Sequence, residues 1–312
     1  MTTNAQAVDD ALTGAPAELR TPAVRPTLEG ARAWCKRLAE SHYENFHVAT
    51  GLLPKRMRVH FRAIYAYCRV ADDLGDEVGD RELATRLLTA WRAMLDECYE
   101  RPEQSRHPVF VALAETVKAC GIPKQPFVDL LVAFQQDQTK VRHATWQELV
   151  DYSRYSANPV GRLVLHVAGV KDERAMLLSD KVCTALQLAN FWQDVSADWE
   201  RGRVYLPQDA MQRFGVTEQD LAARRATPEF CAMQKELVER TRAMFAEGKA
   251  ITALAGRELR PTLGLFVAGG EAILDAIAAM GYATAERRPH LGKVVKLRLL
   301  ARAAWGRVMS WA

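Results

Sequence analysis

Apolar residues recur at helical spacing along almost the whole chain after the first 27 positions. Leu83, Leu87, Trp91 and Leu95, for example, follow one another at intervals of four and so share one face of a helix. No segment alternates apolar and polar residues for long enough to predict a β-strand. The pattern therefore predicts an all-α protein, a single-domain helical bundle.

Residues typical of helix ends mark the predicted boundaries. Pro54 suits the first turn of a helix, and Asp80 and Thr145 are N-cap candidates. Asp172 is predicted to begin one long helix that continues without a break towards Trp199. Three further helices are predicted near 228–255, 262–280 and 290–310.

The N-terminal segment differs in composition from the rest of the chain. Its first 26 residues are rich in Ala, Thr, Pro and Gly, and they lack the charged-then-apolar order of a secretory signal. We therefore expect a disordered leader at 1–26, followed by one domain at 27–312. No apolar run free of charges is long enough to cross a membrane, and the six scattered cysteines form no Cys-x-x-Cys pair. Both observations favour a cytoplasmic location with reduced thiols.

Basic residues are concentrated at the C-terminus. The formal net charge is +4, but no acidic residue follows Glu286, whereas seven Lys and Arg residues do. Without this tail the chain is close to neutral, which argues against a nucleic-acid partner. Three interpretations stay open for the tail: a solvated face, a contact with diphosphate, or peripheral contact with anionic lipid headgroups at the inner face of a membrane.

Two acidic clusters carry the candidate chemistry. Asp72 and Asp76, and again Asp194 and Asp198, are four residues apart on segments predicted as helix. That spacing places both carboxylates of a pair on one face, about 6 Å apart along the axis, where like charges repel unless a cation lies between them. Magnesium prefers carboxylate and phosphate oxygens, so each pair is a candidate site for a metal-bound phosphate. A single pair of aspartates four residues apart is common on solvated helices. The prediction of a metal site therefore depends on two such pairs occurring in similar apolar surroundings.

Both clusters belong to longer motifs. Residues 65–77 resemble the first signature of the squalene/phytoene synthase family, and residues 186–207 resemble the second. The match extends from about Ala31 to Arg298. The resemblance implies an isoprenoid synthase fold, a helical bundle around a central apolar cavity, and magnesium-dependent chemistry on prenyl diphosphates.

The resemblance also implies roles for individual residues. Two or three Mg²⁺ ions are expected on Asp72, Asp76, Asn190, Asp194 and Asp198. Contacts with the substrate are expected from His42, Tyr43, Glu44, Asn45, Tyr65, Arg69, Gln187, Asn190, Tyr205 and Arg287. The catalytic residues would be Asp72, Asp76, Asp194, Asp198 and Arg69. For the two arginines a surface ion pair is the competing interpretation, and for the tyrosines it is a buried hydroxyl with an ordinary partner.

Departures from the family pattern favour one branch. Residues 43–46 replace a Ser-x-Ser-Phe segment, residues 158–161 replace a Val-Ala-Gly stretch, and Gly270 replaces a common tyrosine. These features resemble the hydroxysqualene synthase branch, which is found with bacterial hopanoid pathways. The resemblance implies a carbon–oxygen lyase that ionises presqualene diphosphate and captures the rearranged carbocation with water, without a nicotinamide cofactor.

Three alternatives stay open. The nearest is a head-to-head prenyl transferase that forms presqualene diphosphate, dehydrosqualene or phytoene from prenyl diphosphates. Another is a non-catalytic, membrane-associated assembly factor with the same fold, although such a protein need not keep both acid pairs. Glu44 and His47 also have the Glu-x-x-His spacing of di-iron bundles, but such sites need a second copy, and the sequence has none.

Overall fold

The structure is a computed structural model that describes residues 12–42 and 51–311. Within these ranges the chain is helical, with no strand and only two isolated β-bridges, so the all-α prediction is confirmed. The described α-helices, in chain order, are α1 (Leu28–His42), α2 (Lys55–Asp76), α3 (Arg81–Glu100), α4 (Pro108–Cys120), α5 (Gln125–Gln136), α6 (Trp146–Ser156), α7 (Asn158–Val167), α8 (Glu173–Gln193), α9 (Val195–Glu200), α10 (Gln208–Phe214), α11 (Glu218–Ala222), α12 (Pro228–Gly248), α13 (Ile251–Leu254), α14 (Gly256–Ala279) and α15 (Lys293–Trp311).

The helices group into two compact units. Unit 1 comprises Met1–Thr139 and Leu163–Gly169, and unit 2 comprises Lys140–Arg162 and Val170–Ala312. The single domain at 27–312 and the central cavity stay predictions.

An aromatic core holds α2 in unit 1. Tyr67 of α2 is fully buried, and its hydroxyl donates a hydrogen bond to the carbonyl of Phe127 at 3.0 Å. The Tyr67 ring lies edge-on to the Phe127 ring at 4.9 Å between centroids, while Trp91 of α3 lies 4.5 Å from Phe110 of α4. These interlocked rings fix the helix whose last turn carries the first acidic motif. At the start of α3, the predicted N-cap Asp80 accepts two backbone N–H groups.

Residues 12–26 differ from the disordered leader that their composition predicts. Leu12 and Leu19 are buried, and the His107 ring nitrogen Nε2 lies 3.2 Å from the Leu19 carbonyl. Farther along, the guanidinium of Arg25 donates to the carbonyl of Ser105 at 2.9 Å. Composition misses this packing because two buried leucines and a few backbone bonds are enough to hold a short segment. Residues 1–11 lie outside the described residues.

Helix α8 is the centre of unit 2, where it packs on α12 and α14. Trp192 near its C-terminal end donates to Thr241 of α12 at 2.8 Å, and the Gln234 amide donates to the Trp192 carbonyl at 2.8 Å. Gly270 of α14 allows close approach, because a Cβ there would lie 2.3 Å from the ring of Phe245. This packing fixes the end of α8, where the second acidic motif begins.

The helix predicted to run unbroken from Asp172 towards Trp199 is interrupted. Asp172 caps α8 as predicted, but α8 ends at Gln193, and Asp194 has φ −101° and ψ 14° before α9 begins at Val195. Aspartate is unfavourable inside a helix because its side chain competes for backbone hydrogen bonds. The backbone bonds from Asp194 to Asn190 and from Asp198 to Asp194 persist at 2.9 and 2.8 Å, so the motif stays helical in spacing.

Among the described helices, α14 alone is long and apolar enough to cross a membrane by length and composition. The sequence predicts no such segment, because charged residues interrupt the apolar stretch. The helix packs on α8, α12 and α15 and buries Leu263, Val267 and Leu274, while 33% of its apolar window is buried.

Candidate functional site

The first acidic motif lies in the last turn of α2. Asp72 is half-buried, Asp76 is the exposed final residue of the helix, and Asp73 and Glu77 add two further carboxylates. The C-terminus is the negative end of a helix dipole, so carboxylates in this turn are unfavourable without positive charge nearby. The predicted placement of Asp72 and Asp76 on one helix, four residues apart, is observed.

Arg69 supplies positive charge one turn earlier. Its guanidinium contacts Asp72 at 3.3 Å and Glu77 at 2.8 Å, and it also forms an ion pair with the buried Asp73. Burial raises the pKa of Asp73 to about 7, with Glu77 and Asp72 raising it further and Arg69 opposing the shift. Arg69 therefore makes ion pairs within the protein, and its contact with a diphosphate stays a prediction.

The second acidic motif lies where α8 passes into α9. Burial raises the pKa of Asp198 to about 7, and the neighbouring charge of Asp194 adds to the shift, while nearby arginines oppose it. Asp194 accepts two hydrogen bonds from Arg288, of which the one from Nη2 is 3.1 Å long. Arg287, which the resemblance assigns to the substrate, is also exposed, and its contact with diphosphate stays a prediction. The contact of Arg288 with Asp194 was not predicted from the sequence.

Four packed rings, those of Phe191, Tyr205, His143 and Tyr152, lie beside the second motif. The rings of Phe191 and Tyr205 stack at 3.8 Å between centroids and 7° between planes. The rings of His143 and Tyr152 lie 5.6 and 6.2 Å from Tyr205. Phe191, Asp198 and Tyr205 together line a cavity of about 10 Å³, which is about the room needed for one water molecule.

The sequence analysis did not identify His143 or Tyr152 as site residues. His143 is 1% exposed, neither ring nitrogen has a hydrogen-bond partner among the described residues, and burial lowers the pKa of its imidazole to about 4. No sequence motif connects this segment with the second signature. Three backbone hydrogen bonds form the link, from Val204 to Val141 at 2.9 Å, from Gln208 to His143 at 3.0 Å and from Asp209 to Ala144 at 3.0 Å.

The other predicted site residues are distributed over both units. Tyr65 is half-buried in α2, Gln187 is half-buried in α8, and Asn190 is exposed in the last turn of α8. α1 ends at His42, whose side chain lies outside the described residues, as do Tyr43, Glu44 and Asn45. Their roles in substrate binding stay predictions.

The donor atoms of each motif fit magnesium. In the part of the chain that the structure describes, no three His, Cys, Asp or Glu side chains form a ready cluster of metal ligands. Magnesium commonly uses only one or two protein carboxylates and takes its remaining ligands from water and substrate phosphates. Burial and, after it, the neighbouring charge of Asp194 raise the pKa of Asp198, and a bound divalent cation would oppose both effects. The pairs therefore fit metal ions that bind together with a diphosphate.

Solved structures define the class of protein. The crystal structure of the squalene synthase HpnC from Alicyclobacillus acidocaldarius matches with a TM-score of 0.77 and 41% sequence identity, covering 87% of this chain and 98% of that chain. A dehydrosqualene synthase in complex with ligand matches with a TM-score of 0.79 at 24% identity, covering 89% and 96% of the two chains, which shows the fold alone. The protein has the isoprenoid synthase fold, as the resemblance implied.

Sequence comparisons then show the family. The profile of the squalene/phytoene synthase family matches residues 39–295. The hydroxysqualene synthase of Rhodopseudomonas palustris is 34% identical over 240 residues, which are 76% of this chain and 79% of that protein. The phytoene synthase of Thermus thermophilus is 34% identical over 269 residues, 86% of this chain and 90% of that protein. The chain belongs to the squalene/phytoene synthase family.

Family membership establishes the general chemistry. The protein is an enzyme of the squalene/phytoene synthase family, whose substrates are prenyl diphosphates, and such enzymes typically depend on Mg²⁺. Its relatives include both hydroxysqualene and phytoene synthases, so family membership by itself leaves the product open.

Proposed function

We propose that the protein is a hydroxysqualene synthase that acts in squalene and hopanoid biosynthesis. It would ionise presqualene diphosphate, capture the rearranged carbocation with water and release diphosphate. The observation that carries the proposal is the 34% identity with the hydroxysqualene synthase of Rhodopseudomonas palustris over 76% of this chain. The departures at residues 43–46, residues 158–161 and Gly270 support it, since a Cβ at Gly270 already meets Phe245 and leaves no room for the tyrosine common in the family.

The chemistry begins with the departure of diphosphate. The C–O bond breaks, and its electron pair leaves with the diphosphate. Magnesium held by Asp72, Asp76, Asp194 and Asp198, with Asn190, would supply Lewis-acid stabilisation of that charge. Arg69 and Arg288 lie beside the two motifs and add fixed positive charge where the negative charge develops.

The second step is the capture of the carbocation. Stacked rings such as Phe191 and Tyr205 tolerate positive charge on their faces and exclude bulk water. One water molecule then forms the new C–O bond and loses a proton, so the product is an alcohol. No hydride is consumed, which is why the proposal includes no nicotinamide cofactor.

Product analysis tests the proposal directly. The purified protein is incubated with presqualene diphosphate and Mg²⁺ in ¹⁸O-labelled water without a reductant, and the products are identified by mass spectrometry. We expect an alcohol that carries the label. A hydrocarbon product, or an alcohol without label, would contradict the capture of water.

A second candidate function is that of a phytoene synthase. The phytoene synthase of Thermus thermophilus and the hydroxysqualene synthase of Rhodopseudomonas palustris have the same sequence identity to this chain. Under this alternative the protein condenses two prenyl diphosphates. Farnesyl or geranylgeranyl diphosphate offered as sole substrate separates the two candidates, since only the condensing enzyme forms presqualene diphosphate, dehydrosqualene or phytoene. Lack of turnover with every substrate would favour the non-catalytic assembly factor.

A further inference from the structure

Helix α15 exposes large apolar side chains. Val294 and Leu297 are 63% and 68% exposed, and Val295 between them is 38% exposed. Only seven large apolar side chains in the described part of the chain are exposed, and three of them lie within four consecutive positions of this helix. Val294 and Leu297 are three residues apart and therefore share one side of the helix. A cluster of this kind is typical of a surface with a binding partner.

Basic side chains surround the exposed apolar residues. Lys293, Lys296 and Arg298 are exposed, and none of them forms an ion pair with another described residue. Two other arginines of unit 2 are paired, Arg213 with Glu236 and Arg242 with Asp275. No acidic residue follows Glu286, so α15 itself carries basic side chains and no acidic ones.

The opposite side of α15 packs against the other helices of unit 2. Ala303 is buried and Leu299 is half-buried, and both border a cavity of about 490 Å³ beside the first half of α14. Lys249, Arg260 and Glu271 also line this cavity, next to apolar residues such as Leu265. One side of the helix is thus attached to the unit, and the side with Val294 and Leu297 is left for a partner.

We propose that α15 docks unit 2 on an anionic lipid bilayer. The ammonium and guanidinium groups of Lys293, Lys296 and Arg298 contact headgroup phosphates, and Val294 and Leu297 insert among the headgroups. A second copy of the chain is a poorer partner, because two such surfaces bring like charges together without acidic residues to balance them. The proposal does not depend on which product the enzyme forms.

Flotation of the full-length protein with vesicles tests the proposal. Vesicles of phosphatidylcholine with phosphatidylglycerol are compared with vesicles of phosphatidylcholine alone. We expect binding to the anionic vesicles only, with binding that falls as salt increases. The double variant Lys296→Glu/Arg298→Glu should reduce the partition coefficient about tenfold or more. Val294→Ser/Leu297→Ser should reduce it without a change of charge.

Matched variants serve as controls. Leu177→Ser removes a side chain of α8 that is 58% exposed, and Lys235→Glu reverses an exposed charge of α12. Both should bind vesicles as the parent protein does. Thermal unfolding shows that every variant is folded, and turnover of detergent-solubilised substrate should be unchanged in the α15 variants.

Several outcomes would overturn the proposal. They are equal binding to neutral vesicles, no binding to either kind, and binding that the α15 substitutions leave unchanged. Sedimentation velocity measures whether the protein self-associates. Self-association that the Val294→Ser/Leu297→Ser variant abolishes would identify a second copy of the chain as the partner and contradict the membrane proposal.

Discussion

Asp72 and Asp194 each lie beside further carboxylates and an arginine. Replacing either with alanine should lower kcat by about 10²- to 10³-fold or more, because charge on the departing diphosphate loses its stabilisation. The fold should persist, since partly exposed carboxylates in a like-charged cluster contribute little to stability. Steady-state kinetics and thermal unfolding check both expectations, with Asp151→Ala on the exposed side of α6 as control. Full activity in both variants would refute the metal-binding role of the motifs.

His107 predicts a loss of stability in acid. Burial lowers its pKa to about 4, and both ring nitrogens are used, since Nδ1 accepts from Val109 at 3.3 Å and Nε2 lies 3.2 Å from the Leu19 carbonyl. The unfolded ring binds a proton below pH about 6.5, and the folded ring resists protonation down to about 4. The free energy of unfolding therefore falls as the pH decreases through this window. His107 should account for about 2 kcal/mol between pH 7 and pH 5.

The variant His107→Asn isolates this contribution. Asparagine can still accept the helix-capping hydrogen bond but does not titrate. Urea unfolding at pH 7 and pH 5 should show a smaller loss of stability in the variant than in the parent protein. An equal loss in both proteins would exclude His107 as the cause.

At the scale of residues, the sequence predicted contacts only where spacing along the chain determines them. Asp72 and Asp76 share one helix because four residues make about one turn. Arg288 reaches Asp194 across 94 positions, and His143 meets Tyr205 across 62. Such contacts depend on how loops return to a helix, and no local pattern encodes that.

At the scale of elements, Gly270 and Gly269 of α14 are a matched pair. A Cβ at Gly270 would lie 2.3 Å from the buried Phe245 ring and 2.9 Å from Leu186, whereas a Cβ at Gly269 meets nothing within 4 Å. Gly270→Ala should destabilise the protein by about 1–3 kcal/mol through overpacking. Gly269→Ala should stabilise it by up to about 1 kcal/mol, because alanine is the better helix former. Chemical denaturation measures both, and equal effects would contradict the close approach of α14 to α12.

Helix boundaries were predictable where a side chain caps its own helix. Asp80 and Thr145 accept the expected backbone N–H groups. The interruption at Asp194 was not predicted, because apolar spacing continues through it and i to i+4 backbone bonds persist on both sides. The packing of Leu12 and Leu19 was not predicted either, since burial of a short segment depends on a surface formed by distant residues.

At the scale of the molecule, the all-α class could be predicted because helical periodicity recurs along nearly the whole chain. The paired acidic signatures were then specific enough to indicate the family, which the comparisons confirm. The product is harder to predict, since water capture, proton loss and hydride transfer use the same ionisation machinery. The distinction depends on a few polar side chains, and the candidates Tyr43, Glu44 and Asn45 lie outside the described residues.

Magnesium and inorganic diphosphate together should stabilise the protein against thermal unfolding. A ligand that binds only the folded state stabilises it by about 2.7 kcal/mol at 100 times its dissociation constant. Either ion alone should stabilise the protein only slightly. The carboxylates repel diphosphate, and magnesium alone lacks its phosphate ligands. The gain should decrease on acidification below pH 7, since burial and Asp194 raise the pKa of Asp198 to about 7 and protons then compete with the metal.

Variants show whether both motifs take part in this binding. If the two aspartate pairs hold one magnesium diphosphate jointly, Asp72→Ala and Asp194→Ala should each abolish the gain, and the double variant should lose no more than either single variant. The control Asp151→Ala should keep the whole gain. If one motif binds the ligand by itself, the variant of the other motif would retain full stabilisation. That result would separate the two motifs functionally and restrict diphosphate binding to a single unit of the chain.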